Sequence, residues 1–226
     1  MPIVIVPFQA SSPERQANWE WVRARYAERY PDWELILAEQ ASGQWVKARA
    51  LAPALASCAS DVVVIADADV WCDGLPDAVE AVRAGAPWAI PHGTVYRLSA
   101  DATRLVLEGA DPEGQEPQKG EEPYEATPGG MLIVSQRDTL LDVPPDPRFV
   151  GSSGMDIAWA HALGCLAGKP WRGSATAYHL WHPWDKQSDR VGGEPRSSVR
   201  LRRRYSLARI NRAWMRRIIA EINEQP

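Results

Sequence analysis

Short apolar runs alternate with helical periods over the first ninety residues, and that alternation restricts the chain to few folds. Runs at 3–7, 33–38, 62–66 and 88–90 have strand length and β-branched or aromatic character. Helical stretches at 12–29, 43–57 and 75–84 separate them. The first helix opens with Ser12 as N-cap, Pro13 at the first helical position and Glu14 in the first turn. Trp19, Val22 and Tyr26 then recur on one face. Strands alternating with helices predict right-handed crossovers and an α/β architecture with a mostly parallel central sheet. Further on, residues 109–123 are rich in Glu, Gln, Pro and Gly and read as a mobile loop. A glycine-led strand at 129–134, a turn containing Pro144, Pro145 and Pro147, and a helix from about Asp156 to Leu166 follow. A strand leading into 178–184, a flexible loop over 185–198 and one long helix over 200–223 complete the reading.

Composition narrows the class. The chain has 226 residues, 45% hydrophobic and 24% charged, as expected of a soluble globular protein of one large domain. No run approaches the ~18 apolar residues of a membrane span. The N-terminus lacks a basic region and a small-residue cleavage site, so it reads as a first strand rather than a signal peptide. Cys58, Cys72 and Cys165 are scattered and odd in number, which argues for reduced thiols in a cytoplasmic setting. The 11 tryptophans are mostly expected in the core, yet indole faces also stack on sugars and bases.

The chemistry concentrates at Asp67 and Asp69. The run Val62–Ala66 delivers these two carboxylates to the carboxyl end of a buried strand, where open α/β sheets bind ligands. Hard oxygen ligands there suit a divalent cation bridging to phosphate, although acids after a strand also start turns. Lys47 and Arg49 lie on the preceding helix, two residues apart, so at most one points at a ligand. Asp156 sits in the first turn of its helix. It can complement the helix dipole there, or accept a proton from an alcohol at the rim of a pocket. His179 and His182 flank Trp181 and precede Trp184; a neutral imidazole could complete the shell of an Asp-bound cation.

The order of these pieces resembles nucleotide-sugar glycosyltransferases with the GT-A fold, of the family-2-like type, over roughly residues 3–185. The carriers are Pro7-Phe8 ending the first strand, Lys47-Ala48-Arg49-Ala50, and Asp67-Ala68-Asp69 as the DXD motif. Gly129-Gly130, Phe149-Val150-Gly151 with Gly154-Met155-Asp156, and His179-Leu180-Trp181-His182-Pro183 follow. Met155 departs from the pattern, where such relatives usually carry Glu. The resemblance implies a metal-dependent, inverting hexosyltransferase using a UDP-hexose and Mn²⁺ or Mg²⁺. It implies a cation held by Asp69 with His182 and His179, and donor contacts from Pro7, Phe8, Gln9, Lys47, Arg49, Asp67 and Ala68. It further implies acceptor or sugar contacts from Gly130, Met155, Trp181 and Trp184, with Asp156 as the base. Small enzymes of this kind also occur in bacteriophages, which would place the chain in a host cytoplasm with modified DNA or a protein as acceptor.

The expected organisation is one glycosyltransferase domain over 1–198, with a nucleotide-sugar half near 1–92 and an acceptor half near 93–198. A basic amphipathic helix over 199–226 docks on it. Eight arginines lie between residues 200 and 217 with no acid among them, leaving 17 bases against 29 acids elsewhere. Leu207, Ile210, Trp214 and Ile218 form the expected docking stripe, and Arg209, Arg212 and Arg216 a separate row suited to a polyanion. Two rival classes remain. A non-catalytic nucleic-acid or carbohydrate-binding module would use the arginines and tryptophans. A phosphatase of the haloacid-dehalogenase type would use Asp67 as nucleophile, but that family places the aspartate on its first strand.

Overall fold

The computed structural model describes residues 1–40, 42–119, 123–125, 130–150, 154–183, 190–191 and 194–223. Gly129, residues 151–153, Trp184 and residues 185–189 and 192–193 lie outside them. In chain order β1 (Ile3–Phe8), α1 (Pro13–Arg29), β2 (Glu34–Glu39), α2 (Lys47–Ser57), β3 (Val62–Ala66), β4 (Val70–Trp71) and α3 (Leu75–Arg83) come first. Next are β5 (Trp88–Arg97), α4 (Ala100–Leu107), β6 (Tyr124–Glu125), β7 (Leu132–Gln136), α5 (Arg137–Asp142) and α6 (Met155–Leu166). Then come β8 (Trp171–His179), β9 (Arg190–Val191), β10 (Glu194–Pro195), α7 (Arg196–Ala208) and α8 (Arg212–Asn223).

The main sheet runs β2-β1-β3-β7-β5-β8-β4, with β6 paired to β5. β2, β1 and β3 are parallel neighbours, as are β5 and β8. β7 runs antiparallel to both β3 and β5, and β4 to β8. The sheet is therefore more mixed than the alternation implied. One helix per strand gives parallel neighbours only up to β3. β1 and β3 are buried on both faces, as central strands of a layered α/β domain must be. Ile3, Ile5, Val63 and Ile65 point into a core shared with α2, α6, α7 and α8. Val4, Val6, Phe8, Val62 and Val64 point the other way, toward α1 and α3.

Several expectations change. Ser12 caps α1 through Arg15 N–H at 3.2 Å, as read. α2, however, starts at Lys47 rather than 43, because the Gln40 side chain holds residues 42–46 in a loop. Its Oε1 accepts from Val46 N–H and its Nε2 donates to the Ser42 and Gln44 carbonyls. β5 is ten residues long instead of three, and runs through the boundary expected near residue 92. The helices α4 and α5 were missed; both are short, and Ser99 caps α4 at Ala102 N–H. The segment 109–119 is tied back rather than loose. Gln118 N–H donates to Arg97 O, Ser99 N–H to Glu116 O, and Tyr96 hydroxyl to Gln115 O. Within the expected late loop, β9 and β10 pair antiparallel and α7 begins at Arg196.

The expected single C-terminal helix is two. Residues 209–211 break it, and Asn211 Oδ1 accepts from Trp214 N–H at 2.9 Å to cap α8. The break resets the helical phase, so of the expected stripe only Ile218 docks. Leu207, Ile210 and Trp214 are exposed, whereas Leu201, Tyr205, Ala208, Met215, Ile218 and Ile219 are buried. Tryptophans are largely structural: Trp71, Trp88 and Trp159 are almost fully buried.

Candidate functional site

β3 is buried throughout, so the first polar side chains after it emerge at the carboxyl edge of the sheet. The chain turns there at Asp67–Asp69 and enters β4, whose antiparallel pairing with β8 sets Val70 opposite His179. The Asp69 carbonyl also accepts from Leu180 N–H at 2.8 Å. These backbone contacts draw the late histidines onto Asp69. Asp69 Oδ1 lies 3.8 Å from His179 Nε2, and Oδ2 lies 3.3 Å from His182 Nε2. One ligand atom from each of the three falls within 4.8 Å of the others.

The trio suits a divalent cation. Ligand atoms in adjacent positions around an ion with bonds near 2.1 Å lie roughly 3 Å apart, close to the spacing here. His182 Nδ1 faces the Pro183 carbonyl at 3.1 Å, which leaves the Nε2 lone pair free to accept from Arg15 and turned to the same side as the Asp69 carboxylate. Burial pushes the His179 imidazole down to about 4 against the pull of Asp69, so it presents a lone pair at neutral pH. Burial also opposes ionisation of Asp69. His179, Arg15 and His182 outweigh it and hold that carboxyl below its usual range. Two nitrogens and one carboxylate suit Mn²⁺ better than Mg²⁺, which prefers oxygen.

Lys47 organises a second cluster. Its Nζ donates to Asp67 Oδ1 at 2.6 Å and to Asp156 Oδ1 at 2.9 Å. A cation in the first turn of a helix opposes the dipole, and α2 carries no acid there. The two carboxylates offset that cost. Burial disfavours the ammonium, yet Asp156 and Asp67 raise the Lys47 pKa above its ordinary value. Asp67 is raised by burial first, and by Asp156 and Asp69, against Lys47. Asp67 N–H donates to Met131 O at 2.8 Å, and Met131 holds φ 63°, a left-handed conformation rare outside glycine. Gly130 packs against Asp156: a Cβ on it would sit 3.9 Å from the Asp156 Cβ.

Among the residues expected at the site, Asp67, Asp69, Lys47, Asp156, His179 and His182 thus form two adjoining clusters. Trp181 is half-buried and is clamped by its backbone, with its N–H on Thr103 Oγ1 and its carbonyl on Asn18 Nδ2. Others are not brought in. Arg49 is exposed, because a residue two positions from Lys47 points to the far side of the helix. Phe8 is buried with its ring 5.9 Å from Trp19, Pro7 and Ala68 are buried, and Gln9 is exposed. Met155 packs in the core rather than in the cleft, since its helix buries that face. Arg216 is paired with Asp142 at 2.8 Å, so it is not an open member of an arginine row.

Sequence reasoning missed Arg15 and Asn18 on α1. Arg15 Nη2 lies 3.5 Å from Asp69 Oδ2, and its Nη1 lies 3.4 Å from His182 Nε2. Asn18 is buried, with Oδ1 unpartnered. Their position just after the carboxyl end of β1 was the available signal.

No family model and no curated protein matches the chain. Solved structures do. Glucosyl-3-phosphoglycerate synthase from Mycobacterium tuberculosis, crystallised with Mn²⁺, UDP-glucose and phosphoglyceric acid, superposes with a TM-score of 0.53 at 18% identity, covering 93% of this chain and 79% of that one. GalNAc-T7, crystallised with UDP, GalNAc and Mn²⁺, gives 0.54 at 10% identity over 99% of this chain and 55% of its own. At such identities the likeness defines architecture, and the architecture of this chain is the GT-A fold of nucleotide-sugar glycosyltransferases.

Proposed function

We propose that the chain is a metal-dependent glycosyltransferase that moves a hexose from a nucleoside diphosphate sugar, UDP-linked by preference, to a hydroxyl acceptor. The observation that carries this reading is the convergence of Asp69, His179 and His182 at the carboxyl end of β3. Both structural relatives above were crystallised with Mn²⁺ and UDP or UDP-glucose. In this reading Asp69, His182 and His179 would hold Mn²⁺ or Mg²⁺, which when bound would supply positive charge against the diphosphate leaving group. Asp67 orients the ribose side of the donor. Lys47 binds diphosphate oxygens, and in turning to them it leaves Asp156. Asp156 then accepts the acceptor hydroxyl proton in an inverting displacement. Trp181 and Gly130 line the sugar side. Residues 1–198 form the catalytic domain, and the C-terminal helices belong to the same core.

A specific contact supports a second reading of Asp156. Lys47 Nζ donates to Asp156 Oδ1 at 2.9 Å, so this carboxylate oxygen is already engaged where a base would need it free. Asp156 would then position the acceptor without accepting its proton. Hydroxymethylated DNA or a protein are the finer acceptor proposals. The arginine row that would grip DNA lies beside the far end of α6 from Asp156 (Arg212 reaches the Cys165 carbonyl), which weakens the DNA version.

A thermal-shift screen of nucleotide sugars with and without Mn²⁺ tests the proposal, because a ligand of the native state raises Tm. Stabilisation by one UDP-sugar only when Mn²⁺ is present, abolished by Asp69→Ala, is the expected result. Equal stabilisation in chelator would exclude the metal role.

A further inference from the structure

The turn between α7 and α8 exposes what a docked helix would hide. Ile210 is 88% exposed, Leu207 54% and Trp214 38%, within eight residues around one bend. Large apolar side chains grouped at a protruding bend signal a partner. Around them Arg203, Arg209, Arg212 and Arg217 are exposed as well. Arg209 donates to the Ser206 carbonyl, a neutral oxygen, and Arg212 to the Cys165 carbonyl, its charge shared with the Asp142 carboxylate that Arg216 also pairs. The nearby His161 reports the same field: burial first, then Arg209 and Arg202, hold its imidazole below the usual value.

We propose that this elbow, with Leu207, Ile210 and Trp214 as its apolar tip and Arg209 and Arg212 beside them, docks on an anionic lipid surface. A helical hairpin with Trp and aliphatic residues between arginines has the composition of an interfacial anchor. Nucleic acid would need the arginines but offers nothing to Ile210. The complementarity is local, because residues outside 200–217 carry 17 bases and 29 acids. An anionic surface therefore attracts this end and repels the body, which orients the molecule. Among the described residues no helix is long and apolar enough to cross a membrane, and docking of this kind needs none.

The elbow is separate from the candidate catalytic clusters. Arg212 touches the α6 carboxyl end at Cys165, whereas Asp156 sits at its amino end, about 14 Å away along the helix. Docking thus leaves the cleft uncovered, and its test does not depend on glycosyl transfer.

The experiment is cosedimentation of the full chain with vesicles of phosphatidylglycerol mixed with phosphatidylcholine, against phosphatidylcholine alone. Binding is expected to the anionic vesicles only, weakened by salt. Ile210→Asp should lower it about tenfold or more, as should the pair Arg209→Glu and Arg212→Glu. Because Ile210 is almost fully exposed, an unchanged Tm is expected for I210D. No binding to the anionic vesicles at low salt, or equal binding by I210D, overturns the proposal. So does a lipid-free dimer that I210D dissociates, which makes a second copy the partner. Salt-sensitive binding of duplex DNA that I210D leaves intact, without vesicle binding, also overturns it.

Discussion

At the scale of single residues, Lys47 keeps two carboxylates together that would otherwise repel. Asp67 follows β3 and Asp156 lies in the first turn of α6, and both lie within 2.9 Å of one ammonium. Lys47→Met should therefore lower turnover about 100-fold and weaken UDP binding, because preorganised charge facing a diphosphate is lost. Steady-state kinetics and calorimetry of UDP check it, and unchanged UDP affinity would remove Lys47 from the donor site. Asp156→Asn separates its two readings. A base should cost roughly 10²–10⁴ in kcat with UDP affinity kept, whereas a positioning role should mainly raise KM for the acceptor. The identities of Lys47, Asp67, Asp69, Asp156 and the histidine pair were legible because each stands beside a strand or helix end that a periodic pattern marks. Arg15 was not. Arginines are common on helix surfaces, and only the parallel pairing of β1 with β3 sets the start of α1 beside Asp69.

At the scale of elements, periodicity found the strands that are apolar on both faces and failed where side chains override it. β3 matched residue for residue, since five buried apolar residues bounded by polar ones permit one reading. The Gln40 side chain delayed α2, and Asn211 split the C-terminal helix; each is a local hydrogen bond that hydrophobic pattern does not contain. Asn211→Ala should cost about 1 kcal/mol of stability through loss of the α8 cap, read from the midpoint of urea unfolding. No change in the midpoint would mean that α8 is held by packing alone.

Across the whole molecule, a network running from buried Asp146 and Tyr205 out to half-exposed Arg204 and Glu221 fastens the C-terminal helices to the loop before α6. Asp146, 3% exposed, accepts from Arg148 and from the Tyr205 hydroxyl at 2.9 Å. Arg148 and Arg204 both reach Glu221, at 2.6 and 2.7 Å. Hydrogen bonds from Arg204 first, and from Arg148, hold the Glu221 carboxyl down at about 2, from an ordinary 4.5. The folded state thus favours ionised Glu221. Its contribution is complete above pH 4.5 and is lost as pH falls toward 2. Glu221 is partly solvated, so the effect is modest. Glu221→Gln should flatten the fall of Tm between those pH values, and an unaltered slope would assign acid sensitivity elsewhere. By itself the sequence determined the layered α/β class, the strand that carries the acids and the side chains able to bind a cation. These follow from local periodicity and residue chemistry. Tertiary structure alone decided that Asp69 meets His179 and His182, that Lys47 rather than Arg49 turns inward, and that Leu207, Ile210 and Trp214 face solvent. Each depends on how strands pair or where a helix breaks, which are long-range or single-bond events that no periodic pattern encodes.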